Sequence, residues 1–88
     1  MIGPVLRALH EHPAHPWTLP ELAALAGVSR SGFAQRFTTL VGESPMAYLT
    51  GWRMALAADL LLEPTSTAER VAREVGYGSA FSLSAAFT

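Results

Sequence analysis

Three histidines near the start of the chain are the residues best suited to bind a metal ion. His10, His12 and His15 stand where a predicted helix ends and prolines break the chain. No cysteine is present and no pattern of carboxylate ligands accompanies them, so the donor set of a zinc site is incomplete. We interpret them as solvated histidines, and we predict no metal and no cofactor.

The sequence also has few residues in patterns that catalysis would need. Asp59 is the only aspartate and falls within a predicted helix. The chain has no nucleophile-elbow motif and no phosphate-binding loop, and the Gly76-Tyr77-Gly78 segment is typical of a turn rather than of a dinucleotide fingerprint. The sequence therefore does not favour an enzyme, and we predict no catalytic residue.

Composition is that of one small folded domain. The 88 residues are 50% hydrophobic and 15% charged, which excludes a disordered segment. No apolar run approaches the roughly 18 residues of a membrane span, and the first residues lack the apolar stretch of a secretion signal. The lack of cysteine makes an intracellular protein the default expectation.

The charges nearly cancel, but they are unevenly distributed. Six arginines face seven acidic residues, and the net charge of −1 weighs against a nucleic-acid-binding protein. Between Leu22 and Gly42, however, the only charged residues are Arg30 and Arg36. Any positive surface must therefore be local.

Capping and breaking residues divide the chain into six predicted helices, and no segment alternates as a strand would. Thr18 and Glu21 form a capping box, and Gly27 ends the helix that they begin. Ser29, Ser44 and Thr67 are further predicted N-caps. The predicted helices cover about residues 2–10, 19–26, 30–41, 45–62, 68–75 and 79–88.

Two segments repeat each other. Residues 18–28 (TLPELAALAGV) align with residues 67–77 (TAERVAREVGY), each with a capping threonine, an alanine and a glycine at matching positions. The small alanine lets a second helix cross closely, and the glycine permits the left-handed turn between the helices. The predicted helix between the two copies is about 27 Å long, at about 1.5 Å per residue. The sequence thus predicts two helix-turn-helix units joined by a long helix.

In this order, the motifs resemble the DNA-binding domain of AraC/XylS-type bacterial transcription regulators. The resemblance rests on residues 17–23 (WTLPELA), 27–33 (GVSRSGF), 37–45, 48–55 (YLTGWRMA), 60–61, 71–72, 75–79 and 86–87. It implies a single all-α domain of two homeodomain-like helix-turn-helix subdomains joined by a long linker helix. The implied bounds are residues 1–44 for the first subdomain (motif about 19–40), 45–62 for the linker helix and 63–88 for the second (motif from about 67).

The resemblance implies sequence-specific binding of double-stranded DNA by recognition helices at about 30–41 and 79–88, in successive major grooves. The length of the linker helix is compatible with a separation of about one DNA turn, roughly 34 Å. The resemblance also implies RNA polymerase as a partner, a ligand-sensing or dimerisation domain outside this chain, no membrane partner, and a cytoplasmic, nucleoid-associated location.

In the first recognition helix, Phe33 and Phe37 should point inward, and the base-reading positions implied by the family fall on Ser31, Ala34 and Gln35. The Gln35 amide can bond an adenine edge bidentately, whereas residues at the helix start suit phosphate. Arg36 could contact a phosphate or pair with the linker helix. The predicted DNA-binding residues of this unit are Ser29, Arg30, Ser31, Ala34, Gln35 and Thr38.

The second recognition helix carries no charge. Ser79, Ser82 and Ser84 are its predicted DNA-binding residues, and its apolar residues could touch a thymine methyl. We therefore expect the first unit to carry most of the sequence specificity and the second mainly to anchor. With few cations, affinity should be modest and its salt dependence shallow.

Two further expectations follow. The family pattern continues beyond the last helix, whereas this chain stops at Thr88, so we expect residues 81–88 to be frayed or displaced.

The alternative function is a helical protein-interaction module that does not bind DNA on its own. The near-neutral charge favours this alternative, whereas Arg30, Gln35 and the paired repeat disfavour it.

Overall fold

The computed structural model describes residues 2–87, and within that range it contains six α-helices and no strand. The predicted all-α class is confirmed. The helices are α1 (Ile2–Glu11), α2 (Leu19–Ala26), α3 (Arg30–Val41), α4 (Pro45–Leu61), α5 (Ala68–Glu74) and α6 (Ala80–Phe87). None of them is long and apolar enough to cross a membrane.

Side chains cap the helices where the sequence predicts. The Thr18 hydroxyl accepts a hydrogen bond from the Glu21 N–H (3.3 Å), and the Thr18 N–H donates to the Glu21 carboxylate (3.1 Å), which completes the capping box of α2. Ser29, Ser44 and Thr67 each accept from the N–H three residues on. Each cap satisfies one of the amides that a helix start leaves without an intrahelical partner.

The helix ends follow the predictions closely, with four small differences. Helix α1 ends at Glu11, one residue beyond its predicted end. Gly27 adopts the left-handed conformation (φ 74°) that ends α2. Helix α4 ends one residue early, at Leu61, and α5 ends at Glu74 although the sequence predicted residue 75. Helix α6 begins at Ala80, one residue later than predicted.

Buried apolar side chains form two separate clusters. The first core lies among α1, α2, α3 and the start of α4, and its buried residues are Val5, Leu9, Leu22, Ala23, Phe33, Phe37 and Leu49. The second core lies among the end of α4, α5 and α6, and its buried residues are Ala57, Val71, Ala72, Val75 and Leu83. Helix α4 contributes to both cores, as a linker helix must.

The expected displacement of the last helix is wrong for the part that the structure describes, whereas the expected fraying, which hydrogen exchange would measure, stays a prediction. Helix α6 continues to Phe87, and Leu83 is buried in the second core. Packing of Leu83 against α4 and α5 holds the helix in place, although Leu83 lies within residues 81–88, the segment that was expected to be frayed or displaced. Thr88, the last residue of the predicted helix, lies outside the described residues.

Candidate nucleic-acid interface

Helix α3 presents a polar face opposite its buried one. Phe33 and Phe37 are fully buried, and at about 3.6 residues per turn Gln35 points away from the direction that they share. Ser31, Gln35 and Thr38 are exposed, whereas Ala34 is half-buried at the edge of this face. The Thr38 hydroxyl donates to the Ala34 carbonyl (2.9 Å), which keeps its oxygen close to the helix. The structure thus brings the predicted base-reading positions onto one accessible surface.

The start of α3 is exposed and carries no acidic residue in its first turn. Ser29 uses its hydroxyl as the N-cap, accepting from the Gly32 N–H (3.3 Å). Arg30 is exposed at the first helical position. A positive helix end with an arginine beside it is suited to a phosphate group.

The groove beside α3 extends the accessible surface along the helix. It is open and lined by Gln35, Arg36, Thr39 and Leu40. Leu40 is 68% exposed, so this flank combines polar and apolar groups.

Helix α6 presents a different surface. Its buried side carries Leu83, and the opposite side carries Phe81, which is 83% exposed, together with Ala85. Ser82 and Ser84 are exposed on either side of that apolar strip. Ser79 is half-buried, and its hydroxyl accepts from the Ser82 N–H (3.1 Å) as the helix cap. Of the three serines predicted to bind DNA, Ser82 and Ser84 have exposed side chains, whereas the Ser79 hydroxyl caps α6.

An acidic side chain also lies at the start of α6. The Glu69 carboxylate, from α5, accepts a hydrogen bond from the Ala80 N–H (3.2 Å). Spacing along the chain favours a solvated position for Glu69 on α5, four residues before Arg73. It does not reveal this hydrogen bond, because a contact across eleven residues depends on how α5 and α6 cross. The negative charge stabilises the positive end of α6 and at the same time opposes a phosphate there.

All three histidines are exposed, as solvated side chains would be, and two of them also have defined partners. His10 Nε2 lies 2.6 Å from the Tyr48 hydroxyl, and the His10 ring packs against Trp52. His15 Nε2 lies 2.9 Å from a Glu21 carboxylate oxygen. Within residues 2–87 no group of three or more potential ligands could hold a metal ion.

The contact with His15 alters the acidity of Glu21. Its hydrogen bond with His15 lowers the pKa of the Glu21 carboxyl below its ordinary value, against an opposing effect of desolvation and with further support from the Thr18 N–H. Glu21 therefore stays ionised to lower pH in the folded chain than in the unfolded chain.

Comparison with known proteins identifies the family. The model of a helix-turn-helix domain family matches residues 22–88. An AraC-like transcription regulator of Streptomyces antibioticus is 47% identical over 99% of this chain. The chain belongs to the AraC-type helix-turn-helix family. It spans 29% of the length of that relative, and 27% of the regulator AlkR of Acinetobacter baylyi, to which it is 42% identical over 93% of this chain.

Solved AraC-type structures share the fold. The DNA-binding domain of AdpA, determined in complex with a target DNA, superposes with a TM-score of 0.90 at 30% identity, covering 98% of this chain and 78% of that one. A DNA-binding transcriptional dual regulator from Escherichia coli gives a TM-score of 0.83 at 28% identity, covering 94% and 74%. Two helix-turn-helix subdomains joined by a long linker helix are therefore the architecture of this AraC-type chain.

Proposed function

We propose that this chain is the sequence-specific DNA-binding module of a bacterial transcription regulator, with α3 and α6 entering successive major grooves of double-stranded DNA. One observation carries the proposal. Helix α3 exposes Gln35 opposite its two buried phenylalanines and begins at an exposed Arg30, so a base-reading amide and a phosphate-binding cation share one accessible helix.

The geometry of the linker helix supports simultaneous contact by both units. Helix α4 has 17 residues and joins the two cores, so it is about 25 Å long at about 1.5 Å per residue. With the width of the neighbouring helices, this length is compatible with two recognition helices one DNA turn apart, roughly 34 Å. The likeness to AdpA, a protein solved on its target DNA, adds support.

We assign unequal roles to the two units, taking residues 1–44 and 63–88 as their bounds and 45–62 as the linker. Ser31, Ala34 and Gln35 read bases, while Ser29, Arg30 and Thr38 hold the backbone of the same groove. Ser82 and Ser84 anchor the second unit through exposed side chains, and Ser79 contributes by capping the start of α6. The exposed Phe81 beside them is suited to a thymine methyl group.

The remaining roles concern a longer protein. The AraC-type relatives are regulators about three times the length of this chain, and the family is not one of enzymes. A ligand-sensing or dimerisation domain and RNA polymerase are the partners that such a regulator would use. Its place of action would be the cytoplasm, at the nucleoid.

Selection of bound duplexes from a random pool, followed by fluorescence anisotropy titrations, tests the proposal. Gln35→Ala should remove about 1–3 kcal/mol of discrimination at one base pair of the selected duplex, because a bidentate contact is lost. Thr50→Ala, at an exposed position of α4, is the control and should retain the base preference. An unchanged base preference in Gln35→Ala would refute the reading role of α3.

A protein-interaction module is the second candidate, favoured by the net charge of −1 and by the apolar, uncharged exposed side of α6. DNA binding requires affinity to fall as salt rises, since phosphate contacts release counterions. If the chain binds no duplex even at low salt, the protein-interaction module becomes the better assignment.

A further inference from the structure

Arg53 forms a junction between the two helix-turn-helix units. The side chain leaves the middle of α4 and is half-buried. Its Nε donates to the Pro13 carbonyl (2.8 Å), and its Nη2 donates to the His15 carbonyl (3.0 Å). Both carbonyls belong to the loop between α1 and α2, so the linker helix is bonded to the first unit through a planar fork of two donors.

The same guanidinium contacts the second unit. Its central carbon lies 5.8 Å from the centre of the Tyr77 ring, in the turn between α5 and α6. Next to Tyr77, a Cβ added to Gly76 would lie 3.1 Å from the Arg53 guanidinium and 3.1 Å from the Ala14 Cα. The backbone of the second turn therefore packs directly against the loop of the first unit, with Arg53 between them.

This junction is distinct from either core. The two buried clusters share no residue, and Arg53 belongs to neither of them. Loss of the guanidinium would thus leave both cores intact and remove a contact that restrains how one unit is rotated against the other. Two recognition helices meet successive grooves only when that rotation is correct.

We propose that Arg53 is a positioning residue that sets the orientation of the second helix-turn-helix unit relative to the first. The effect on DNA binding rests on the proposed function, whereas the effect on orientation does not. Orientation and binding are therefore measured separately.

Orientation is measured by double electron–electron resonance on the full chain. Spin labels at Ala24→Cys and Glu74→Cys lie on exposed positions of α2 and α5, and the native chain has no cysteine to compete. Arg53→Met should shift the distance distribution or widen it about two-fold, because the second unit samples more orientations. Arg70→Met, an equal loss of charge at an exposed site of α5, should leave the distribution unchanged.

An unchanged distribution in a folded Arg53→Met chain overturns the proposal. Circular dichroism checks the fold, and Arg53→Lys decides the same question if Arg53→Met unfolds. Lysine keeps the charge and the stem but cannot reproduce the planar fork, so a wider distribution is again expected and an unchanged one overturns the proposal.

Binding is measured on the duplex selected by the native chain and on the same duplex lengthened by a base pair between its two half-sites. Arg53→Met should weaken binding to the first duplex about 10-fold, since two units held less rigidly have a lower effective concentration for each other's sites. It should also discriminate less between the two spacings. Equal affinities and equal spacing discrimination would refute the effect on binding. If the native chain selects no duplex from the random pool, the proposed function is refuted and the spin-label result alone decides the role of Arg53.

Discussion

Each helix-turn-helix unit has a capping threonine with a glutamate close behind it, but the glutamate bonds its own helix in one unit and the next helix in the other. In α2, Thr18 is the N-cap and Glu21, three residues on, returns a hydrogen bond to it. In α5, Thr67 is the N-cap, but Arg70 stands three residues on, and the acidic residue at the preceding position, Glu69, bonds the start of α6. One carboxylate therefore supports its own helix, whereas the other neutralises the start of a recognition helix.

The two recognition helices also differ in the polarity and charge of their exposed residues. Helix α3 begins with an exposed arginine and carries an exposed glutamine on its outer face, whereas α6 carries an exposed phenylalanine, alanine and serines. The inward residues match much better, since each unit buries an apolar residue followed by alanine, Leu22-Ala23 in one and Val71-Ala72 in the other. The buried residues and the helix crossing are thus duplicated, whereas the exposed surfaces differ, and this difference is the basis of the unequal roles that we propose for the two units.

Substitutions in the two cores should cause the largest loss of unfolding free energy. Phe37 is fully buried and its ring packs against Phe33 and Tyr48, with ring centres 5.7 Å apart in each case. Phe37→Ala should cost about 3–5 kcal/mol of unfolding free energy, and Val71→Ala in the second core about 2 kcal/mol. Urea denaturation followed by circular dichroism measures both.

Thr50→Ala, on the exposed side of α4, is the control for these core variants and should change the unfolding free energy by less than about 0.5 kcal/mol. If Val71→Ala lowered the unfolding free energy more than Phe37→Ala does, the second core, and not the first, would contribute more to stability.

A smaller effect should follow from the charge at the start of α6. Glu69→Gln keeps an acceptor for the Ala80 N–H but removes the negative charge from the helix start. A charge at a helix terminus is worth about 0.3–1 kcal/mol, so affinity for the selected duplex should rise about 2–5-fold, with a steeper salt dependence. Glu74→Gln removes an equal charge from an exposed position at the end of α5 and is the matched control. Equal gains from both variants would mean that only net charge matters, and that the cap itself does not hinder phosphate binding.

The smallest effect concerns acid stability and the first unit alone. Because the pKa of Glu21 is lowered in the folded chain, chiefly by the hydrogen bond with His15, ionised Glu21 favours folding above its unfolded pKa. That contribution is lost as pH falls through the lower, folded pKa. Denaturation midpoints measured from neutral to acid pH should therefore fall less steeply in Glu21→Gln than in the native chain, with His15→Ala in between. Superimposable curves for Glu21→Gln and the native chain would contradict this role of Glu21.

The sequence by itself determined the helices, their caps and the duplicated crossing. Each of these depends on residues a few positions apart, such as Thr18 with Glu21 or Phe33 with Phe37, and such spacing is directly visible along the chain. The outward direction of Gln35 follows from the same periodicity, since a residue two places from one buried aromatic and two from the next must point away from both.

Only the tertiary structure decided which distant groups meet. Arg53 bonds carbonyls 38 and 40 residues away, His10 reaches Tyr48, and Glu69 reaches α6. None of these pairs has a signature in spacing, because each depends on the crossing angles of whole helices, and a change of a few degrees would separate the atoms. The orientation that we propose for Arg53 to set between the two units belongs to this class of contacts, which the repeat in the sequence does not encode.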